Sequence, residues 1–517
     1  MIYRLGIDVG GTNTDAVILD NKNNPIAKIK VATTEDVSTG ILRALDEVLK
    51  GASVNPEEIK YAMLGTTHCT NAIVERKNLA KVGIIRAGKP ATLSIKPLIS
   101  WPNDLIKEIG GYTHIVKGGH EYDGRELSPL DEEEIRRAVE DLKKKRVESI
   151  AISSVFSPVN NGHEVRISEI VKEIMGEKTP VSLSHEIGSI SLLERENAAV
   201  LNAAIINVAD TAVNSFENAL KERGIHASLY ITQNDGTLMS AEYTLKYPVL
   251  TIASGPANSL RGGTFLSGLK DAIVVDVGGT TTDIGILLNG FPRESAVAVE
   301  IGGVRTNFRM PDLISIGLGG GSLVKKEDGE IRVGPQSVGY KLEKEALVFG
   351  GNKLTATDIA VFLNKVKLGD PSIVKLDRTF AEKVNEKIKT MAEEAIDKMK
   401  TSPEPVPVIL VGGGSILLPD KLKSASKVIK PSHFEVANAI GAAIAQVSGQ
   451  IDKVFSLEKR GRDEVLKEAK ETAIKEAIKA GADPKTVEVV DVDEIPLAYL
   501  PGNAIRIRVK AAGYLKI

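Results

Sequence analysis

Asp8-Val-Gly-Gly-Thr-Asn-Thr-Asp15 recurs far along the chain as Asp276-Val-Gly-Gly-Thr-Thr-Thr-Asp283, and the two copies differ only at Asn13 against Thr281. Each follows an apolar run, Leu5–Asp8 or Ala272–Asp276, and the first leads into another, Ala16–Leu19. Such a repeat marks a duplicated strand–loop–strand unit. Its residue types suit a polyphosphate. The paired glycines, Gly10-Gly11 and Gly278-Gly279, let backbone N–H groups approach phosphate with no Cβ in the way. Thr12, Asn13 and Thr14, with Thr280, Thr281 and Thr282, add neutral donors. Asp8 and Asp276 would repel a bare phosphate, so their position makes sense only if they face Mg²⁺ through water. Asp and Gly dominate β-turns for conformational reasons. That explains one copy, not two matched copies in one setting. Two such hairpins facing each other would grip a magnesium nucleotide from both sides.

Working outward, a third glycine cluster ends the strand Ile409-Leu-Val411. Its Gly412, Gly413 and Gly414 would offer bare backbone to the adenosine of ATP. A helix is expected from about 37 to 49. Ser128-Pro129-Leu130-Asp131 should open another, with Ser128 as cap and Lys143–Arg146 at its negative pole. Residues 149–156 read as a buried strand, and 194 to about 223 as one long helix. Ser254-Gly-Pro-Ala257 and Pro403–Pro407 read as breaks. Beyond 449 a charge-laced helix, 463–479, aligns Val465, Ala469, Ala473 and Ala477 on one face. Two β segments follow, the second alternating Ile505, Ile507 and Val509 with Arg506, Arg508 and Lys510. The alternation of strands and helices gives an α/β class. Boundaries are expected at 1–192 for a first lobe, 193–449 for a second and 450–517 for a small α+β appendage.

Composition narrows the function classes. With 66 basic and 68 acidic residues the formal charge is −2, so no strong positive field is available to make nucleic acid the main ligand. A single cysteine, Cys69, rules out an internal disulfide and fits a reducing cytoplasm. Residues 1–8 lack the basic and apolar regions of a signal peptide, and the longest apolar runs fall short of a membrane span.

The order phosphate loop, linking helix, second phosphate loop, late Gly-Gly-Gly and final Ala/Gly helix resembles the actin, sugar-kinase and heat-shock-chaperone superfamily, whose lobes are ribonuclease-H-like and flank a nucleotide cleft. Asn197–Ala204 and Ala437–Ala445 look like its two connecting helices, with small residues for a close crossing. Within it, the chain is similar to the hydantoinase A/oxoprolinase family. The carrying residues are Gly65-Thr-Thr-His-Cys-Thr-Asn-Ala-Ile-Val-Glu-Arg76, Asp123-Gly-Arg-Glu126, Pro129-Leu-Asp131, His163-Glu164, Glu194-Arg195, Ser254–Ala257 and Gly319–Ser322. They cover about residues 1–447. The resemblance implies ATP-dependent opening of a 5-oxoproline- or hydantoin-like ring, through phosphorylation of the carbonyl oxygen. It implies Mg²⁺ on Asp8 and Asp276, and phosphates on Gly10–Thr14 and Gly278–Thr282. Asp15 or Asp283 would be the base, with Thr66, Thr67, Asn71, Glu75 and Arg76 on the substrate side. It also implies a partner resembling the hydantoinase B subunit, and an oligomer.

Other signals read as structural. Gly83–Pro90 nearly spells a P-loop, but Pro90 stands where Ser or Thr would bind Mg²⁺, so it is taken as a turn. Gly317–Ser322 approaches a dinucleotide fingerprint and is read as a glycine turn. No His/Cys pair has zinc spacing. His163 is read as a capping or packing residue and Cys69 as a packing residue. Two alternatives to the ring-opening enzyme share the fold: a small-molecule kinase, and a nucleotide-switched chaperone or reactivating factor whose tail docks a partner protein.

Overall fold

The computed structural model describes residues 2–34, 37–295, 299–327, 329–458, 460–498 and 503–516. Strands β1 (Tyr3–Val9) and β2 (Asn13–Leu19) form an antiparallel hairpin that sets Asp8 opposite Asp15. Strands β11 (Ala272–Val277) and β12 (Thr282–Leu288) repeat it, with Asp276 opposite Asp283. Both hairpins are buried along most of their length, as expected where helices cover both faces of a sheet.

Around the first hairpin a nine-stranded sheet is built. β3 (Pro25–Ala32) pairs with β2, and β4 (Ile59–Gly65) runs parallel to β1. β9 (Ser228–Thr232) lies parallel to β4, and β10 (Leu238–Ser240) turns back along β9. The sheet continues through β21 (Val447–Phe455), β23 (Ile505–Gly513) and β22 (Glu488–Pro496). The second hairpin carries β13 (Phe291–Pro292), β16 (Leu313–Ile316), β19 (Val406–Val411) and β20 (Ala425–Ile429). A third sheet is parallel, in the order β6 (Tyr112–Lys117), β5 (Val82–Lys89), β7 (Ser149–Ser154), β8 (Val181–Leu183). Two short hairpins complete the strands: β14 (Val299–Ile301) with β15 (Val304–Thr306), and β17 (Ser322–Glu327) with β18 (Glu330–Ser337).

Two helices fill the space between the first and second sheets. Val17 and Leu19 pack on Ala439, Ile440 and Ala443 of the helix Ala437–Ile444. Val274 and Ile409 pack on Leu260 of the helix Ser254–Ser267, and Leu266 joins both clusters. These helices cross almost backbone to backbone. A Cβ on Gly262 would lie 1.9 Å from the Ala437 carbonyl oxygen, and one on Gly441 would lie 1.9 Å from that of Asn258. Outside this layer, helix Val37–Gly51 covers β1 and β2, and helix Arg378–Met399 covers β11 and β12.

Several expectations need correction. The crossing helix is Ser254–Ser267, not the segment 197–204; the Ser-Gly-Pro read as a break is that helix's first turn, where proline is tolerated. The long helix expected over 194–223 is two, Leu192–Ala204 and Ile206–Glu222, bent by 45°. Helix Glu132–Lys144 is capped by Asp131, whose carboxylate accepts the Glu134 N–H, and not by Ser128. Residues 83–89, taken as a turn, belong to the buried strand β5, because the Arg86 guanidinium is neutralised by Glu196 at 2.7 Å. The tail is α+β, with Val465, Ala469, Ala473 and Ala477 fully buried, but its strands extend the first sheet. Along the chain, the strands pass from the first sheet to the second between Ser240 and Ala272. Among the described residues no single helix is long and apolar enough to cross a membrane.

The crossing sets a test by denaturant unfolding. Gly262→Ala and Gly441→Ala should each destabilise by at least about 2 kcal/mol through overpacking against backbone. Gly51→Ala, whose Cβ would meet only Ala27 at 4.0 Å, should change stability by less than about 1 kcal/mol.

Candidate functional site

The two loops have the same turn: Gly10 N–H donates to Asn13 O and Gly278 N–H to Thr281 O, each at 2.9 Å. They meet tip to tip. The Thr12 and Thr280 hydroxyls are 3.1 Å apart, and a Cβ on Gly279 would sit 2.5 Å from Thr12 Cγ2. Glycine is therefore required at 279 by the approach of the first loop. The third glycine cluster joins them. Gly412 has φ +81°, and a Cβ there would lie 2.1 Å from Asp276 Oδ1. Gly413 leaves open space on that side, with only Lys30 Cε within 4 Å. The glycine turn at 319–321 supports the second loop from behind, Gly320 N–H donating to Gly278 O and Gly321 N–H to Gly279 O.

Below the tips, four carboxylates interact. Asp8 and Asp15 are adjacent by register, as are Asp276 and Asp283. Asp8 also feels Asp15 and Asp276, and Asp276 feels Asp15. Asn258 of the first crossing helix donates to Asp8 Oδ1 at 2.7 Å. Its neighbour Ser259 donates to Asp276 Oδ2 at 2.5 Å. Asn438 of the second helix donates to both Asp8 Oδ2 (3.0 Å) and Asp15 Oδ2 (2.8 Å). Burial pushes the Asp8 carboxyl up to about 6, against the pull of these amides, and raises Asp276 as well.

The twins diverge in their third strand. Opposite Asp15 on β3 stands Lys30, with Nζ 2.5 and 2.7 Å from the two carboxylate oxygens. Opposite Asp283 on β16 stands only Ser315. Burial then pushes Asp283 up to about 6, and a serine hydroxyl offsets it only partly. Lys30, Asn258, Ser259 and Ser315 escaped the sequence reading, and Asn438 was noticed only as part of a helix. Register opposite Asp15 was the one available pointer to Lys30.

The expected substrate-side residues divide. Gly65 lies beside Asp8, where a Cβ would be 2.2 Å from Oδ1, so Thr66 and Thr67 begin at the site. Helix His68–Glu75 then leads away. Asn71 Nδ2 is 3.4 Å from Thr67 Oγ1, but Glu75 is exposed and pairs with Lys77. Arg76 donates to the Asp104 carboxylate and the Gly302 carbonyl. Cys69 is buried among apolar side chains, and desolvation pushes its thiol up to about 11, which fits the packing role expected for it. His163 stacks on His120 with centroids 4.2 Å apart, and its Nδ1 accepts the Gly119 N–H. Among the described residues no three His, Cys, Asp or Glu side chains form a ready-made metal site.

Residues 4–175 match the profile of the hydantoinase/oxoprolinase N-terminal region, and residues 195–370 match the hydantoinase/oxoprolinase profile. The chain belongs to the hydantoinase/oxoprolinase family. One member, an uncharacterized protein of Methanocaldococcus jannaschii, is 27% identical over 99% of this chain and 81% of its own length. The caprolactamase subunit alpha of Pseudomonas jessenii is 28% identical over 69% of this chain and 53% of its length. The acetophenone carboxylase gamma subunit of Aromatoleum aromaticum is 28% identical over 71% of this chain and 53% of its length. The chain thus spans about half of those two subunits. Two solved structures share the fold. The ATP-dependent caprolactamase from Pseudomonas jessenii has a TM-score of 0.77 at 20% identity, covering 99% of this chain and 88% of its own. Nucleotide-free acetone carboxylase has 0.70 at 20%, covering 100% and 88%. Family membership and fold are those that the sequence motifs implied.

Asp283 provides a stability test. Its folded value of about 6 lies above the ordinary carboxylate value, so the native state holds this proton more tightly than the unfolded chain. Stability is therefore highest when the group is protonated, falls as pH rises from about 4 to 6, and carries the full cost above that. Asp283→Asn should stabilise the nucleotide-free protein by about 1–3 kcal/mol at pH 7.5. That gain should vanish near pH 4, as read from denaturant midpoints.

Proposed function

We propose that the chain uses ATP and Mg²⁺ to phosphorylate the carbonyl oxygen of a cyclic amide, so that water can open the ring, and that it works with a second subunit. The observation that carries this reading is the 3.1 Å contact between Thr12 and Thr280, which closes the twin loops over four carboxylates, Asp8 and Asp15 buried and Asp276 and Asp283 half-buried. Two relatives are named as subunits and two solved relatives as ATP-dependent, which supports both the nucleotide and the partner. The division we propose follows the sheets: two lobes, one on each hairpin, with the tail belonging to the first.

In this reading the backbone N–H groups of Gly10–Thr14 and Gly278–Thr282 receive the phosphates, and Gly412–Gly414 lie along the adenosine. Asp8 and Asp276 hold the cation through water. These residues fit a divalent ion, because carboxyls raised by desolvation, and less by neighbouring acids, gain from one, and a magnesium site with few protein ligands needs no preformed cluster. The nucleotide supplies a phosphoryl group that turns a sluggish amide oxygen into a leaving group. Lys30, between Asp15 and Asp276, meets the charge that develops on that group. Asp15, tied to Lys30 and Asn438, orients them. Asp283, with its carboxyl near 6 and no cation opposite, is the better general base of the two. Thr66 and Thr67 face the acceptor.

The carboxylase subunit among the relatives favours a second reading, in which the same loops activate a ketone oxygen for carboxylation. A kinase reading leaves the phosphate on a stable acceptor. A chaperone reading has less support, because the tail it would use for docking is built into the first sheet.

Steady-state assays with lactams, imides, hydantoins and ketones, alone and with a co-expressed partner subunit, separate these readings. The expected result is amide-stimulated release of free phosphate with an opened ring. A stable phosphorylated product, or stimulation by ketone and bicarbonate only, rejects ring opening. The base assignment has its own test in the pH–rate profile. Ser315→Lys places an ammonium opposite Asp283 and should shift the acidic limb, expected near 6, down by roughly one unit or more. An unmoved limb removes Asp283 from that role.

A further inference from the structure

A cavity of about 730 Å³ lies away from the twin loops, between the β9–β10 turn, residues 185–189, the helix Ala241–Lys246, residues 307–309 and the tail. Its size falls in the range of small-molecule sites. Gln233 and Asn234 line it and are only 6% and 2% exposed. The amide NH₂ groups of both are spent on the protein. Gln233 Nε2 donates to Leu238 O at 3.2 Å, and Asn234 Nδ2 donates to Arg309 O at 2.6 Å. Those bonds fix which end of each carboxamide is oxygen. Among the described residues neither side-chain oxygen has a hydrogen-bond donor, and neither is sealed from solvent. Two buried acceptors are thus left for whatever fills the cavity. Tyr243 and Tyr247, their rings 4.6 Å apart, give it an aromatic wall.

The tail completes this site. Lys510 Nζ pairs with Asp235 at 2.7 Å with both side chains 3% exposed, and Gln450 Nε2 donates to Asp235 at 2.6 Å. The Thr237 and Ser448 hydroxyls are 2.8 Å apart. The cavity wall also reaches the carboxylates. Gln233 follows Thr232, whose Oγ1 accepts from Asn258 Nδ2 at 3.1 Å, and that same Nδ2 donates to Asp8.

We propose that this cavity binds a small, uncharged amide or imide, whose ring N–H groups donate to the side-chain oxygens of Gln233 and Asn234 and whose ring lies against Tyr243 and Tyr247. Under the proposed function this molecule is the cyclic amide, held here before it reaches the acceptor position at Thr66 and Thr67, and to that extent the inference rests on that reading. Of the carboxylates lining the cavity, Glu186 is paired with Lys246 and Tyr247, Asp452 with Arg506 and Glu476 with Lys479, which favours a neutral ligand over a cation; an N-alkylated amide lacks the donor.

Calorimetric titration of the full-length protein, without nucleotide, tests it with hydantoin and 2-pyrrolidinone against 1,3-dimethylhydantoin and N-methyl-2-pyrrolidinone. The N–H compounds should bind at least roughly tenfold more tightly, the value of one hydrogen bond. Ala480→Trp, which narrows the cavity, and Tyr243→Ala, at a 48% exposed side chain, should each weaken binding roughly tenfold, with unfolding midpoints measured to confirm that both variants remain folded. Equal binding of the methylated compounds, insensitivity to both variants, or no saturable binding on the order of 10 mM overturns the site. Amide-stimulated turnover that survives in Ala480→Trp overturns the cavity but leaves the proposed function. N–H-selective binding with no stimulated turnover does the reverse.

Discussion

Everything at the centre of this protein depends on two helices that cross without side chains between them. Gly262 and Gly441 let the backbones of Ser254–Ser267 and Ala437–Ile444 touch, and Gly6 lets β1 approach the second helix equally closely, with a hypothetical Cβ 2.4 Å from Ala439 O. The crossing is short, small and apolar, so close packing rather than charge holds it. From it project Asn258, Ser259 and Asn438. Neighbouring residues of one helix, Asn258 and Ser259, reach carboxylates on different hairpins. Any movement of one lobe on the other must be accommodated at this crossing.

The carboxylate cluster beneath the loops is costly in the free protein. Desolvation raises Asp8, Asp276 and Asp283, and polar hydrogen bonds offset it only in part. Under the proposed function, that cost is relieved when the cation binds. The duplicated loops do not store it equally. A lysine faces one copy and a serine the other, so near-identical octapeptides become electrostatically different sites. Duplication gives the two loops the same backbone shape, and divergence of the third strand gives their acids different neighbours.

The tail is bound to the first lobe by more than proximity. β21 enters the sheet beside β10, and the fully buried Lys510–Asp235 pair locks the two together. A buried pair of this kind contributes little net stability but strongly penalises wrong arrangements. It holds the β9–β10 turn, and so the hydrogen-bonded path from Thr232 through Asn258 to Asp8, in one geometry.

Much was legible in the sequence because it was local. The octapeptide repeat, the glycines and the apolar runs fixed both hairpins, the late Gly412–Gly414 cluster and the four acids, since backbone conformation and strand pairing across a tight turn depend on neighbours in the chain. Val465, Ala469, Ala473 and Ala477 disclosed a helix face for the same reason. Only tertiary structure decided what is brought to those acids. Lys30 and Ser315 arrive through third-strand register, Asn258 through a helix that Ser-Gly-Pro disguised as a break, and the tail through sheet pairing with β10. Each depends on contacts between residues distant in sequence, for which local spacing carries no signal.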